Sequence, residues 1–187
     1  MRKEEEYQIL EKIKGGDDSL FRELVDLYSP RVISVIRGVV GSEEDARELA
    51  QDVFVKAYFS IKKFRGDSAF STWLFRIAYN ISISHLRKKR FNFVNVETSK
   101  IPENYLQHDN EEEREFNETR FRMLEKIVDS LVPEDRFLLN LFYEQDKSIK
   151  DITIIMGLSE SNVKVRLHRV KKRVSELAEK NMEVSYG

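Results

Sequence analysis

Apolar residues recur at three- and four-residue intervals along most of the chain, the spacing of amphipathic helices. Tyr7, Ile9, Leu10 and Ile13 predict a short helix stopped by Gly15-Gly16. Asp18 or Ser19 caps a second, in which Leu20, Phe21, Leu24, Leu27, Tyr28, Val32, Val35 and Ile36 share a face and Pro30 introduces a kink. Gly41 ends that helix. Ser42 caps the next, whose Glu43, Glu44 and Asp45 suit the positive end of a helix dipole and whose stripe is Ala46, Leu49, Val53, Phe54, Ala57 and Ile61. Phe64 to Ser68 reads as a loop. A helix from Phe70 to Lys89 follows, with Phe70, Trp73, Leu74, Ile77, Ile81 and Leu86 inward.

The periodicity then lapses over residues 91–111, which hold Asn, Pro, Glu and Asp. It restarts with Phe121, Leu124, Ile127, Val128 and Leu131. Pro133 opens a further helix with Phe137, Leu138, Leu141 and Phe142 inward, and Ser148 caps a short one containing Ile149, Ile152, Ile155 and Met156. Gly157-Leu158-Ser159 makes a tight turn, and Ser159 caps a last helix from Glu160 to about Glu179. Nothing alternates with a strand's period of two. The expected architecture is all-α: two small helical domains, residues 1–90 and 120–187, joined by a flexible acidic linker over 91–119. About 20 extended residues of such a linker reach up to ~70 Å, enough to join two sites about two duplex turns apart.

Composition narrows the function. The 187 residues contain no cysteine, which excludes a disulfide scaffold or a thiolate zinc site, and the three histidines are scattered. No apolar run is long enough to span a membrane, and the acidic N-terminus lacks a signal-peptide core, so a cytoplasmic protein with no direct membrane insertion is expected. The net charge of −1 hides an uneven distribution. Residues 1–95 carry 17 Lys and Arg against 14 Asp and Glu, residues 96–119 carry 2 against 8, and residues 120–187 carry 13 against 11. The flanks are mildly basic, too weakly for tight DNA binding by the free chain; a partner has to supply much of the affinity.

Two segments carry nucleic-acid chemistry. Ser148 to Arg173 has the form of a helix-turn-helix, a short apolar helix followed by a turn and a capped basic helix. Val163, Leu167 and Val170 face in. Ser161, Asn162, Lys164, Val165, Arg166, His168 and Arg169 face out toward base edges, while Lys171, Lys172 and Arg173 suit phosphates. In the other segment the spacing of Phe70 and Trp73 marks them as core more than as stacking platforms. The base-contact candidates are the loop Arg65 to Ser71, including Asp67 and Ser68, and the outer positions Arg76, Tyr79, Asn80 and Ser84, with the cations Arg87 to Arg90 at the helix end. On the helix from Glu43, Glu48, Gln51, Asp52 and Lys56 form a face whose acids repel DNA, so any function there is protein contact. No metal site, cofactor motif or catalytic constellation emerges, and the chain reads as no enzyme.

In order, Asp45-Ala-Arg-Glu-Leu-Ala-Gln-Asp-Val-Phe-Val-Lys-Ala-Tyr58, Phe70-Ser-Thr-Trp-Leu-Phe-Arg-Ile-Ala-Tyr-Asn80 and Leu86-Arg-Lys-Lys-Arg90 resemble region 2 of bacterial extracytoplasmic-function (ECF, group 4) RNA polymerase sigma factors of the sigma-70 family. Leu131-Val-Pro-Glu-Asp-Arg136 and Ser159-Glu-Ser-Asn-Val-Lys-Val-Arg-Leu-His-Arg169 resemble region 4. The resemblance implies an alternative sigma factor that binds core RNA polymerase, directs it to promoter DNA and assists melting of the −10 element. It implies that Glu48, Gln51, Asp52 and Lys56 dock on the clamp helices of the largest subunit. Arg65, Asp67, Ser68 and Ser71 would capture a flipped −10 base, with Arg76, Asn80, Arg87, Lys88 and Lys89 holding the DNA around it. The last helix, Lys172 included, would read the −35 element, with the flap region as a further polymerase contact. An anti-sigma factor is a candidate partner, as for many relatives. Ser84, Thr153 and Ser161-Asn162 depart from the family's usual Asp, Ala and Gly-Thr, which leaves the promoter sequence open. The alternative is a stand-alone helix-turn-helix regulator with residues 1–95 as a dimerisation or sensor domain.

Overall fold

The computed structural model describes residues 3–92 and 121–186, and all regular structure among them is helical. Most of the linker expected over 91–119 lies outside the described residues. Helix α1 (Lys3–Lys14) buries Leu10 and Ile13. A 3-10 turn at Asp18–Leu20 leads into α2 (Phe21–Val40), which ends at Gly41 in the left-handed conformation at φ 75°, its N–H donating to the Arg37 carbonyl at 2.9 Å. Pro30 sits inside α2 without breaking it. The Ser42 side chain accepts from the Asp45 N–H at 3.2 Å and so caps α3 (Glu43–Ser60). Helix α4 spans Phe70–Asn92.

The C-terminal unit begins with α5 (121–129). Pro133 occupies the first turn of α6 (Pro133–Leu139), which widens into a π turn over Asn140–Glu144. The Ser148 side chain caps α7 (Ile149–Met156), Gly157 closes it at φ 68°, and α8 runs Glu160–Tyr186, beyond the expected end near Glu179. Of the expected stripe on α5, Ile127 is buried but Phe121 and Leu124 are exposed. Leu27 is likewise exposed, and Trp73 and Phe142 are half-buried at the edge of the core.

Helices α2, α3 and α4 pack mutually around Leu24, Val32, Ile36, Val53, Leu74 and Phe75. The C-terminal unit does not stand apart from this bundle. Helix α7 lies on α4 and α6 on α2, so that Phe137, Leu138, Leu141, Ile152 and Ile155 join the same apolar cluster. Polar contacts edge this seam. Arg31 donates from Nε to Gln145 Oε1 at 2.8 Å, Asn140 donates to Ser34 Oγ at 3.0 Å, and Ser34 donates to Glu144 Oε2 at 2.8 Å. Thr72 donates to Asp151 Oδ1 at 3.0 Å, and Lys147 donates to Ser71 Oγ at 2.6 Å. Arg136 Nη2 reaches the Val39 carbonyl at 3.1 Å, at the negative end of the α2 dipole.

Candidate nucleic-acid and polymerase interface

Three surfaces carry the residues singled out from the sequence. On α3, Glu48, Gln51, Asp52 and Lys56 are exposed along one side. Val55 and Phe59 stand on the same side, 56% and 79% exposed. An exposed phenylalanine beside carboxylates is an anomaly for a water-facing helix. Both residues fall outside the apolar stripe of α3, and that offset is the signal in the sequence that marks them.

The second surface surrounds the turn into α4. Phe64 is buried and packs edge-on against Phe70 at 5.7 Å between ring centroids and at a tilt against Trp73 at 5.4 Å. These rings anchor the segment that follows, and Gly66 at φ 81° lets it reverse. Arg65 and Asp67 are exposed and pair with each other through Nη2 at 2.9 Å. The segment borders a cleft of about 680 Å³ lined by Glu6, Tyr28, Arg31, Ser68, Lys147 and others. Burial and the hydrogen bond to Glu6 raise the Tyr28 hydroxyl well above the usual tyrosine range, so it stays a neutral donor.

Ser71 departs from expectation. It lies in the first turn of α4, not in the loop, is 7% exposed, and its hydroxyl accepts from Lys147. Along α4, Arg76 and Asn80 are exposed, while Tyr79 turns under the C-terminal unit, its ring 5.0 Å from that of Phe137. At the basic end Arg87, Lys88 and Lys89 are exposed, with Lys89 Nζ 3.1 Å from Asp45 Oδ2.

The third surface is α8. Val163, Leu167 and Val170 are buried, which fixes the opposite face toward solvent. Ser159 Oγ accepts from the Asn162 N–H at 3.2 Å, so the first turn is capped and its side chains stand clear. Ser161, Asn162, Lys164, Val165, His168, Arg169 and Lys172 are exposed; Lys164 pairs with Glu160 and Lys172 with Glu176. Arg166 corrects the expected outer face. It is half-buried, with Nε 2.5 Å from Asp135 Oδ1 and Nη2 4.0 Å from Glu134 Oε2, and so ties α8 to the start of α6.

A helix-turn-helix and a second, partly apolar exposed surface on one chain call for comparison with known proteins. The family model Sigma-70 region 2 matches residues 24–92, and the model Sigma-70, region 4 matches residues 121–174. An RNA polymerase sigma-H factor of Pseudomonas aeruginosa is 30% identical over 183 residues, covering 94% of this chain and 95% of that one. An ECF RNA polymerase sigma-E factor of Haemophilus influenzae is 32% identical over 173 residues, covering 89% and 91%. The chain belongs to the sigma-70 family. It is an ECF-type alternative sigma factor, one that binds core RNA polymerase and directs it to promoters. The stand-alone regulator is set aside, because the likeness runs through the N-terminal bundle as well as the helix-turn-helix. The sigma factor also shares its fold with CnrH solved with the cytosolic domain of CnrY, at TM-score 0.64 and 22% identity over 92% of this chain and 96% of that one. With RpoE of Bartonella quintana, solved with the anti-sigma factor NepR, the TM-score is 0.65 and the identity 23% over 85% and 96%.

Proposed function

We propose a division of labour among the three surfaces of this sigma factor. The α3 face, Glu48, Gln51, Asp52 and Lys56 with Val55 and Phe59, docks on the clamp helices of the polymerase's largest subunit. The segment Arg65 to Ser68 captures an extruded −10 base, and Arg76, Asn80, Arg87 and Lys88 hold the backbone around it. The capped end of α8, Ser161, Asn162, Lys164, Val165, His168 and Arg169, reads the −35 element, with Lys172 on phosphate and Arg166 setting the helix's angle through Asp135. A further contact joins the C-terminal unit to the flap region.

The observation that carries this reading is the two-faced α8, with Val163, Leu167 and Val170 buried and its basic polar side exposed beyond a capped start. Base extrusion costs a few kcal/mol, which stacking and hydrogen bonds beside the loop can offset. The factor acts by binding alone, without catalysis, and works in the cytoplasm beside the polymerase; no helix among the described residues is long and apolar enough to cross a membrane. CnrH and the Bartonella factor were both solved with a bound protein, one of them named an anti-sigma factor. A proteinaceous regulator of this kind is the partner to seek here.

Two substitutions separate the surfaces. Asp52→Ala should weaken co-elution with core polymerase about tenfold, roughly the effect of one good polar interface contact. Lys164→Ala should leave that binding intact while lowering transcript yield from sigma-dependent promoters. Loss of core binding with Lys164→Ala, or normal core affinity with Asp52→Ala, would refute the split.

A further inference from the structure

The solvent face of α8 is not uniformly polar. Val165 stands at its centre, 54% exposed, with Ser161 and Asn162 one turn before it and His168 and Arg169 one turn after, all exposed. A single exposed valine on a protein surface ordinarily calls for no explanation. This one lies in the second turn behind the cap at Ser159, where a reading helix meets base edges. Helix propensity does not account for it either, since a β-branched residue ranks below the Lys and Arg around it.

The cations on either side of Val165 are each tied to an acid. Lys164 pairs with Glu160 one turn earlier, and that hydrogen bond holds the Glu160 carboxyl below the usual glutamate range, so the pair stays ionised near neutral pH. Arg166 is half-buried against α6, with Nε 2.5 Å from Asp135 Oδ1. Its guanidinium is engaged there and is not at hand for a bidentate contact with guanine. Val165 itself neither donates nor accepts a hydrogen bond. What it offers is a pair of methyl groups held in one preferred rotamer. The apolar group that a base presents in the major groove is the C5 methyl of thymine; cytosine has only a hydrogen at that carbon.

We propose that Val165 is a base-specifying residue of this sigma factor: its methyl groups pack on the C5 methyl of a thymine in the −35 element, which therefore carries a T·A pair at that step. The proposal rests on the assignment of α8 to −35 DNA made above. Neighbours one turn away on a helix stand about 5–6 Å apart, one to two base-pair steps at ~3.4 Å each, so Asn162 and Arg169 meet the pairs on either side. Their hydrogen bonds set the register, and the valine decides one position by apolar contact alone.

Replacing thymine by uracil deletes the methyl group and nothing else, which isolates the contact. Duplexes randomised upstream of the start site would be selected by core polymerase bound to the full-length factor, and each thymine of the enriched −35 element then replaced singly by deoxyuridine. With the native chain, one such replacement should weaken binding about three- to fivefold, the factor for returning one methyl-sized group to water. With Val165→Ser, thymine and uracil at that step should bind within about 1.3-fold of each other, and Val165→Thr, which keeps one γ-methyl, should fall between. A C·G pair placed there should bind the native chain better when the cytosine carries a 5-methyl group, and should lose that preference with Val165→Ser. The thymine contact is overturned if no uracil weakens the native complex by as much as about twofold, or if the loss is equally large with Val165→Ser. Asn162→Ala and Arg169→Ala test the underlying assignment separately. If both select the same upstream element as the native chain, α8 does not read that element, and the thymine contact falls with the assignment.

Discussion

Asp151 joins two kinds of structure through one carboxylate. Ser148 Oγ accepts from the Asp151 N–H at 3.1 Å and donates to its Oδ2 at 2.6 Å, a reciprocal cap for α7, while Oδ1 accepts from Thr72 across the seam. Burial pushes this carboxyl up, but the hydrogen bonds from Ser148 and Thr72 and the charge of Lys147 outweigh it, and the net shift is downward. A carboxyl that binds its proton less readily when folded contributes stability above its ordinary range. That stability is lost as pH falls through the lowered folded value. Asp151→Asn removes the titrating group. On urea unfolding between about pH 7 and about pH 3.5, the native chain should lose more of its midpoint than the variant does. Parallel losses would show that Asp151 makes no special contribution. Arg166 makes a related point at the same scale. Its position on α8 nominates it as a base reader, and only the fold reveals Asp135 as its partner.

At the scale of the element, three helix starts and two helix ends were legible because their signals are local, whereas the cap expected at Asp18 or Ser19 is not made: a 3-10 turn over Asp18–Leu20 leads into α2, which starts without a side-chain cap. Ser42, Ser148 and Ser159 each accept a backbone N–H three residues on, and Gly41 and Gly157 supply left-handed ends. Such bonds are complete within a few residues and need nothing from the rest of the fold. Two glycines show how differently the same residue serves. Gly157 sits at φ 68°, where an L side chain is strained, whereas Gly38 lies inside α2 with open space where a Cβ would go. Gly157→Ala should lower stability by about 1–2 kcal/mol. Gly38→Ala should raise it by about 0.5–1 kcal/mol, by removing backbone freedom from the unfolded chain. Denaturant midpoints of the two variants should therefore move in opposite directions. The π turn over Asn140–Glu144 was not legible. It is held where Asn140 donates to Ser34, 106 positions earlier, and no local pattern announces a partner so distant. Ser71 was misplaced for the same reason, since its burial depends on Lys147, 76 positions later.

Over the whole molecule, charge has to be counted by what each group is free to do. The sequence made visible two basic flanks around an acidic middle, but not which cations were already engaged. Lys88 and Lys89 are neighbours in sequence and both exposed, and the family resemblance implies DNA contact for both. In the fold Lys89 lies 3.1 Å from Asp45 Oδ2, on the first turn of α3, whereas no acid among the described residues pairs with Lys88. A cation that releases a counterion on meeting a phosphate steepens the salt dependence of binding by about 0.9 per contact on duplex and about 0.7 on single strands. One already neutralised by a carboxylate releases much less. In complexes of the polymerase and this sigma factor with promoter DNA, Lys88→Ala should therefore flatten the plot of log affinity against log salt by about 0.7–0.9. It should weaken all promoters alike, as expected of a backbone contact. Lys89→Ala should leave the slope nearly unchanged. Equal slopes for the two variants would mean that DNA draws Lys89 away from Asp45, and that the pairing seen in the free chain does not persist on the promoter.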